Sequence, residues 1–294
     1  MENNIGRPPE SWRNFSDKVP LAAMVLERGD LKKIYRIVNG MQIEMRDRFI
    51  PVLAIQRNEL LEEFEARKSR VFNVFATSMT IHRTNGEYLH GNNEQFLDDV
   101  NLPNNIRAIL FSTTSVPRTL GIEPISKIDL FLDFTSPPLF DFSRLPSFPT
   151  VNESNFEVAS DSEPMFVAAR ARLIDFFNER KSKVNWLHGG YIYDISVFFL
   201  GLPFAILSTY RASQIIGGIS TGTNIISNAI YVYIFFFSLH VERFLFMYSR
   251  WVFPKIELKS EKSSPLRHRG VWAAIVLAIL VGILTNFIWT YITK

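Results

Sequence analysis

Three stretches of this chain carry no charged side chain for long enough to govern how it can fold: 195–210, 212–241 and 270–293, of 16, 30 and 24 residues. The last contains Val271–Ile292, which as a helix reaches ~33 Å against a hydrocarbon core of ~30 Å. Trp272 stands near one end and Trp289 and Tyr291 near the other, where amphipathic rings favour the headgroup boundary. A buried helix of a soluble domain rarely runs so far without a charge, so 271–292 is expected to span a bilayer. Two more spans are expected near 190–210 and 224–246, joined by the Gly-rich Ile215–Thr223 as a helical hairpin. Gly201 and Pro203 interrupt the first, so a re-entrant pair that dips without crossing is the competing arrangement.

Charge orients the hairpin. Residues 243–269 hold Arg243, Arg250, Lys255, Lys259, Lys262, Arg267 and Arg269, whereas the 207–224 connection holds only Arg211. The positive-inside rule places the basic connection in the cytoplasm. The N-terminal domain then lies in the cytoplasm and the C-terminus outside. Arg180, Lys181 and Lys183 before the first span agree, and the polar start of the chain lacks the apolar core of a secretory leader. With no cysteine and a plain basic loop, a bacterial inner membrane is favoured over a eukaryotic one. Asp194, about one turn into the first span, and Arg243, at a matching depth of the second, form a candidate intramembrane pair, because an ionisable group at that depth needs a partner or a route to the headgroups.

The preceding 190 residues read as an α+β domain with N-terminal helices and a small antiparallel sheet, followed by the α-helical region of three spans. Residues 1–19 are polar and expected to be loose. Over 20–69, Leu31, Ile34, Val38, Met41, Met45 and Phe49 recur at helical spacing from an N-cap at Asp30. Pro51 interrupts this stripe, giving one kinked helix or two packed ones. The small α+β domain is expected over 70–160. Strands are read at 71–82 and 87–89 around Asn85-Gly86, a hairpin signal, then at 106–112 and 127–134. In the last, Ile128, Leu130 and Leu132 alternate with Lys127, Asp129 and Asp133, as in a sheet with one buried face. An amphipathic helix within 161–188 leads into the membrane region, 189–294.

The segment 135–155 holds Pro137, Pro138, Pro146 and Pro149, which exclude a regular helix or central strand. It is expected to drape over its own sheet with its phenylalanines inward. The functional alternative is a partner-binding ridge of Leu139, Phe140, Phe142 and Phe148.

The composition excludes several functions. Cysteine is absent, so there is no disulfide-linked partner, thiol nucleophile or cysteine metal site. The net charge of +3 comes from the C-terminal region; residues 1–190 are slightly acidic, which argues against nucleic acid. The phosphate-loop, dinucleotide, zincin and nucleophile-elbow motifs are missing. His82 and His90 flank a surface turn, and Asp129 and Asp133 would lie ~13 Å apart along a strand, too far for one metal. No cofactor or metal site is expected. The chain reads as a membrane-anchored cytoplasmic interaction or sensing module, with the lipid bilayer and either a protein partner or a second copy of itself as partners. An oligomeric pore-forming or membrane-perturbing effector is the alternative. A membrane-tethered enzyme with an unrecognised site comes third.

Overall fold

The computed structural model describes residues 14–53, 55, 59–98, 102–103, 105–119, 121, 124, 126–139, 146–219, 224–259 and 264–292. The chain divides into two compact units. Unit 1 comprises 1–135, 152–182 and 256–260; unit 2 comprises 136–151, 183–255 and 261–294.

Unit 1 is α+β. Strands β1 (Phe15–Pro20), β3 (Ser78–Arg83), β4 (Tyr88–Gly91), β5 (Ile106–Ser112), β6 (Lys127–Asp133) and β7 (Asn155–Ser160) form an antiparallel sheet in the order β1-β7-β6-β5-β3-β4. The alternation read in β6 is realised: Ile128, Leu130 and Leu132 are fully buried and their neighbours half-buried. The Asn85-Gly86 hairpin also forms, with Gly86 at φ +87°, a conformation that disfavours any residue with a Cβ. Helix α1 (Arg28–Phe49) lays Leu31, Ile34, Val38, Met41 and Met45 into the same core as Ile81, Phe111, Leu130 and Phe156. Helix α4 (Glu163–Asn178) adds Ala169, Leu173, Phe176 and Phe177 to it.

Several boundaries differ from the sequence reading. Residues 15–19, expected to be loose, form edge strand β1 together with Pro20, because pairing with β7 satisfies its backbone and Phe15 meets the Phe166 ring at 6.0 Å. Asp30 is not the N-cap of α1. The helix begins at Arg28, and the Asp30 carboxylate reaches back to the Glu27 N–H at 3.0 Å. Two helices flank Pro51, as one of the two alternatives had it. Helix α2 (Leu61–Val74) takes up residues 71–74, where the sequence pattern predicts a strand. Val71 and Phe75 instead join Phe49, Ile50 and Leu53 in a small second cluster, so tertiary contact overrides β-propensity there.

A larger correction concerns the basic connection 243–269, in whose sequence no strand is expected; part of it, 256–258, is a strand. This is β8 (Ile256–Leu258), which pairs in parallel with β2 (Met24–Leu26), with Ile256 fully buried in the unit 1 core. Three residues sufficed to build this strand, too few for a periodicity to announce it.

Unit 2 is helical. Helix α5 (Ile192–Ser196), a π-turn (Val197–Gly201) and helix α6 (Leu202–Ile219) run on continuously. The wide turn falls where the Pro203 ring would meet the carbonyl four residues earlier, so proline loosens this helix without ending it. Helix α7 (Asn224–Val252) is unbroken for 29 residues, about 43 Å, and stops before Pro254. Helix α8 occupies Ser264–Ile292. Among the described residues, Ile192–Ile216 and Ile225–Val252 are long and apolar enough to cross a membrane. Only 11% and 22% of their most apolar windows are buried, which is unlike the core helix of a soluble protein.

Candidate functional site

The most heavily constrained place in unit 2 is the C-terminal end of α7, where a buried arginine is held by backbone alone. Arg250 is 3% exposed. Its Nε donates to the Leu187 carbonyl at 3.0 Å, Nη1 to those of Pro146 and Phe148 at 2.9 and 3.1 Å, and Nη2 to that of Gly189 at 3.1 Å. Four of the five guanidinium N–H groups are thereby engaged. The ring of Phe246, one helical turn back, lies 4.8 Å from the guanidinium carbon. The planar fork of arginine suits this task, whereas a lysine ammonium, with three N–H groups at one point, could not serve all four carbonyls.

The two segments that supply these carbonyls also hold each other. The Thr150 N–H donates to the His188 carbonyl at 3.2 Å, and the Tyr191 N–H to the Ser147 carbonyl at 2.9 Å. Thr150 Oγ1 and His188 Nδ1 share a hydrogen bond of 2.9 Å. Tyr191 caps α5 with φ +64°, a left-handed conformation rare for a side chain of that size and held here by these bonds. His188 is buried, and its pKa is pushed down to about 4, first by burial and then by the charges of Arg250 and Lys255. It is therefore a neutral imidazole at ordinary pH.

Above this clasp, polar side chains join the helices. Ser147 Oγ donates to Asp194 Oδ1 at 2.5 Å. Ser196 Oγ donates to Glu242 Oε1 at 2.6 Å, linking α5 to α7, and the Tyr193 and Phe246 rings meet at 5.2 Å. Below it, Trp272 of α8 donates to Ser249 Oγ at 2.7 Å, and Tyr248 Oη shares a 3.0 Å bond with His268 Nδ1. Ser147 and His188 take different partners, so hydroxyl, imidazole and carboxylate do not line up as a proton relay.

The residues singled out in the sequence distribute unevenly. Phe140, Phe142 and Lys262 lie outside the described residues. Leu139 is half-buried and Phe148 is 62% exposed. Of the described residues of the Pro/Phe-rich segment, 146–151 belong to unit 2, where the Pro146 and Phe148 carbonyls receive Arg250, so the expectation that it drapes over its own sheet is not met there; 152–155 belong to unit 1 and lead into β7. Of the basic connection, Arg243 and Arg250 are on α7, not in a loop. Lys255 follows that helix half-buried, and Lys259, just after β8, makes a surface pair with Glu27 at 2.9 Å. Arg267 and Arg269 lie on α8, with Arg269 5.2 Å from the Phe253 ring.

Sequence reasoning missed three groups: Arg250 as a buried anchor, His188, and Glu242 as a buried acid between helices. One signal was available. Glu242, Arg243 and Arg250 are the charged residues of an apolar stretch, 224–252, that is long enough to span a bilayer, and an ionisable group there calls for a partner. Among the described residues, no three His, Asp or Glu side chains converge as metal ligands. The chain matches no protein-family model, no curated protein and no solved structure.

Proposed function

We propose that the chain is a membrane-anchored interaction or sensing module, in which the α+β unit recruits a partner or passes a signal to the helices. One observation carries this reading: the chain passes between its two units at 135/136, 151/152, 182/183, 255/256 and 260/261. A passive tether needs one linker. Repeated passage ties β6, β7, α4 and β8 of one unit to the clasp and helices of the other through the covalent backbone, so that strain in either is transmitted.

In this reading α5–α6, α7 and α8 are three spans, with the 243–269 cations and the α+β unit in the cytoplasm. Asp194 and Arg243 pair across the hairpin. Exchanging them (Asp194→Arg with Arg243→Asp) then restores the stability that either single change loses. The exposed Phe148, with Leu139, Phe140 and Phe142, offers the partner surface.

Because the sequence has no cysteine, single-cysteine variants report cleanly. Asn224→Cys is expected to react with a membrane-impermeant maleimide on intact cells, and Glu87→Cys only after lysis; the reverse pattern overturns the orientation. Purification from gently solubilised membranes should bring down a stoichiometric second protein. Replacing Phe140 and Phe142 by Ser should release it with folding intact. Recovery of a homo-oligomer alone overturns the recruiting reading in favour of a pore, which a liposome flux assay then tests.

A further inference from the structure

Glu242 is 8% exposed, and its two carboxyl oxygens have different surroundings. Oε1 accepts from Ser196 Oγ at 2.6 Å, while Oε2 is enclosed without a hydrogen-bond partner. Gly201 closes the space on the opposite helix: a Cβ there would stand 3.3 Å from Glu242 Cγ and 3.6 Å from Oε2. An ionised carboxylate held this way leaves a desolvated anion with one oxygen unsatisfied, among the most unfavourable arrangements in a packed interior.

Two ligands could neutralise it, a metal cation or a proton. A metal cation needs several oxygen donors and room for them. The nearby hydroxyls are already used: Ser196 donates to Oε1, and Ser238 turns back to the Ile234 carbonyl at 2.9 Å. Gly201 stands close on the other side, and among the described residues no group of three His, Asp or Glu side chains gathers as a metal site. We infer that Glu242 is a proton-binding site: Oε2 carries the proton at neutral pH, and Oε1 is the carbonyl oxygen that Ser196 grips. Release of the proton leaves an anion between the helices, so the hairpin must part or admit water.

The titratable or charged groups nearby are Tyr193 and Asp194 on α5 and Arg243 on α7 itself, while His240 lies elsewhere on α7 and His268 on α8. Asp194 is bonded to Ser147, His240 to the Phe236 carbonyl at 2.8 Å and His268 to Tyr248. The inference rests on packing within unit 2 and holds whether or not the helices cross a bilayer.

Infrared difference spectroscopy of the full chain in lipid nanodiscs at neutral pH tests it. A protonated-carboxyl C=O band is expected in the native protein. It should be lost in Glu242→Gln, retained in Asp194→Asn, and moved to higher frequency in Ser196→Ala as the hydrogen bond to its carbonyl oxygen disappears. The Ser196→Ala shift also keeps the test decisive if Glu242→Gln does not fold. Absence of such a band, a band that survives Glu242→Gln unchanged, or a band that sodium chloride but not pH removes would overturn the assignment.

Discussion

The two units partition polar and apolar groups in opposite ways. Unit 1 buries Ile, Leu, Met, Val and Phe between a sheet and two helices, and keeps its ion pairs at or near the surface. Glu257 is buried there too, and the largely enclosed Asp30 and Arg180 meet each other at 3.0 Å. Unit 2 turns Phe198, Phe199, Ile206, Phe236 and Phe237 outward while enclosing His188, Ser238, Glu242 and Arg250. Water drives the first arrangement, since apolar area removed from it contributes ~25 cal/mol per Å². The second leaves large apolar side chains exposed along helices long and apolar enough to cross a membrane, an arrangement that suits an outer solvent of hydrocarbon. Folding in the two units therefore depends on different forces: burial of side chains in one, polar links between elements in the other.

That contrast breaks most sharply at Arg250. Arg250→Met leaves four carbonyls, two of them buried and two partly buried, without this donor and is expected to destabilise unit 2 by about 3 kcal/mol. Arg250→Lys should recover little of this, as thermal unfolding in detergent would show. The matching test in unit 1 is apolar. Ile256→Ala removes a fully buried side chain from β8 and should cost about 2–5 kcal/mol, with the β2–β8 amides losing hydrogen-exchange protection.

Acid should separate the units. An unfolded histidine takes up a proton near pH 6.5 and folded His188 only at about 4, so the unfolded state binds more protons in that window. Unit 2 therefore loses stability as pH falls from 6.5 to 4, by about 3 kcal/mol at most, and His188→Gln should flatten the slope. In unit 1, burial of Asp30 works to raise its pKa, but the Glu27 N–H and Arg180 outweigh it and leave the carboxyl below its usual value. Its contribution persists above pH 3.8 and is lost only as pH falls further. Near-ultraviolet signals from Trp186 and Trp251 in unit 2 should thus change before the unit 1 sheet does. The smallest effect is expected at the exposed Lys259–Glu27 pair, where Lys259→Ala should leave the melting temperature unchanged; a clear drop would mean that β8 depends on its rim charge.

Much of unit 1 was legible from the sequence because its periods are long and clean. Five buried positions over α1 and three alternating ones in β6 each repeat often enough to specify a face. The Asn85-Gly86 turn was legible because few dipeptides accept its backbone. Strands β1 and β8 were not, since a short strand becomes one only through the neighbour that pairs with it. The clasp was hidden for a related reason: its acceptors are backbone carbonyls, which every residue carries and no motif marks.

By itself, then, the amino-acid order determined which stretches are apolar and uncharged, where helical and strand periods begin, and on which side of the helices the cations gather. These are local properties of side chains along one dimension. Tertiary structure alone decided that a proline-rich segment serves as a carbonyl cradle, that a cation assigned to a loop is the buried anchor of a helix end, and that one glutamate of an apolar helix loses contact with water on both sides. Each depends on groups distant in sequence arriving within hydrogen-bond distance, and hydrogen bonds fall off too steeply with distance and angle for sequence spacing to report them.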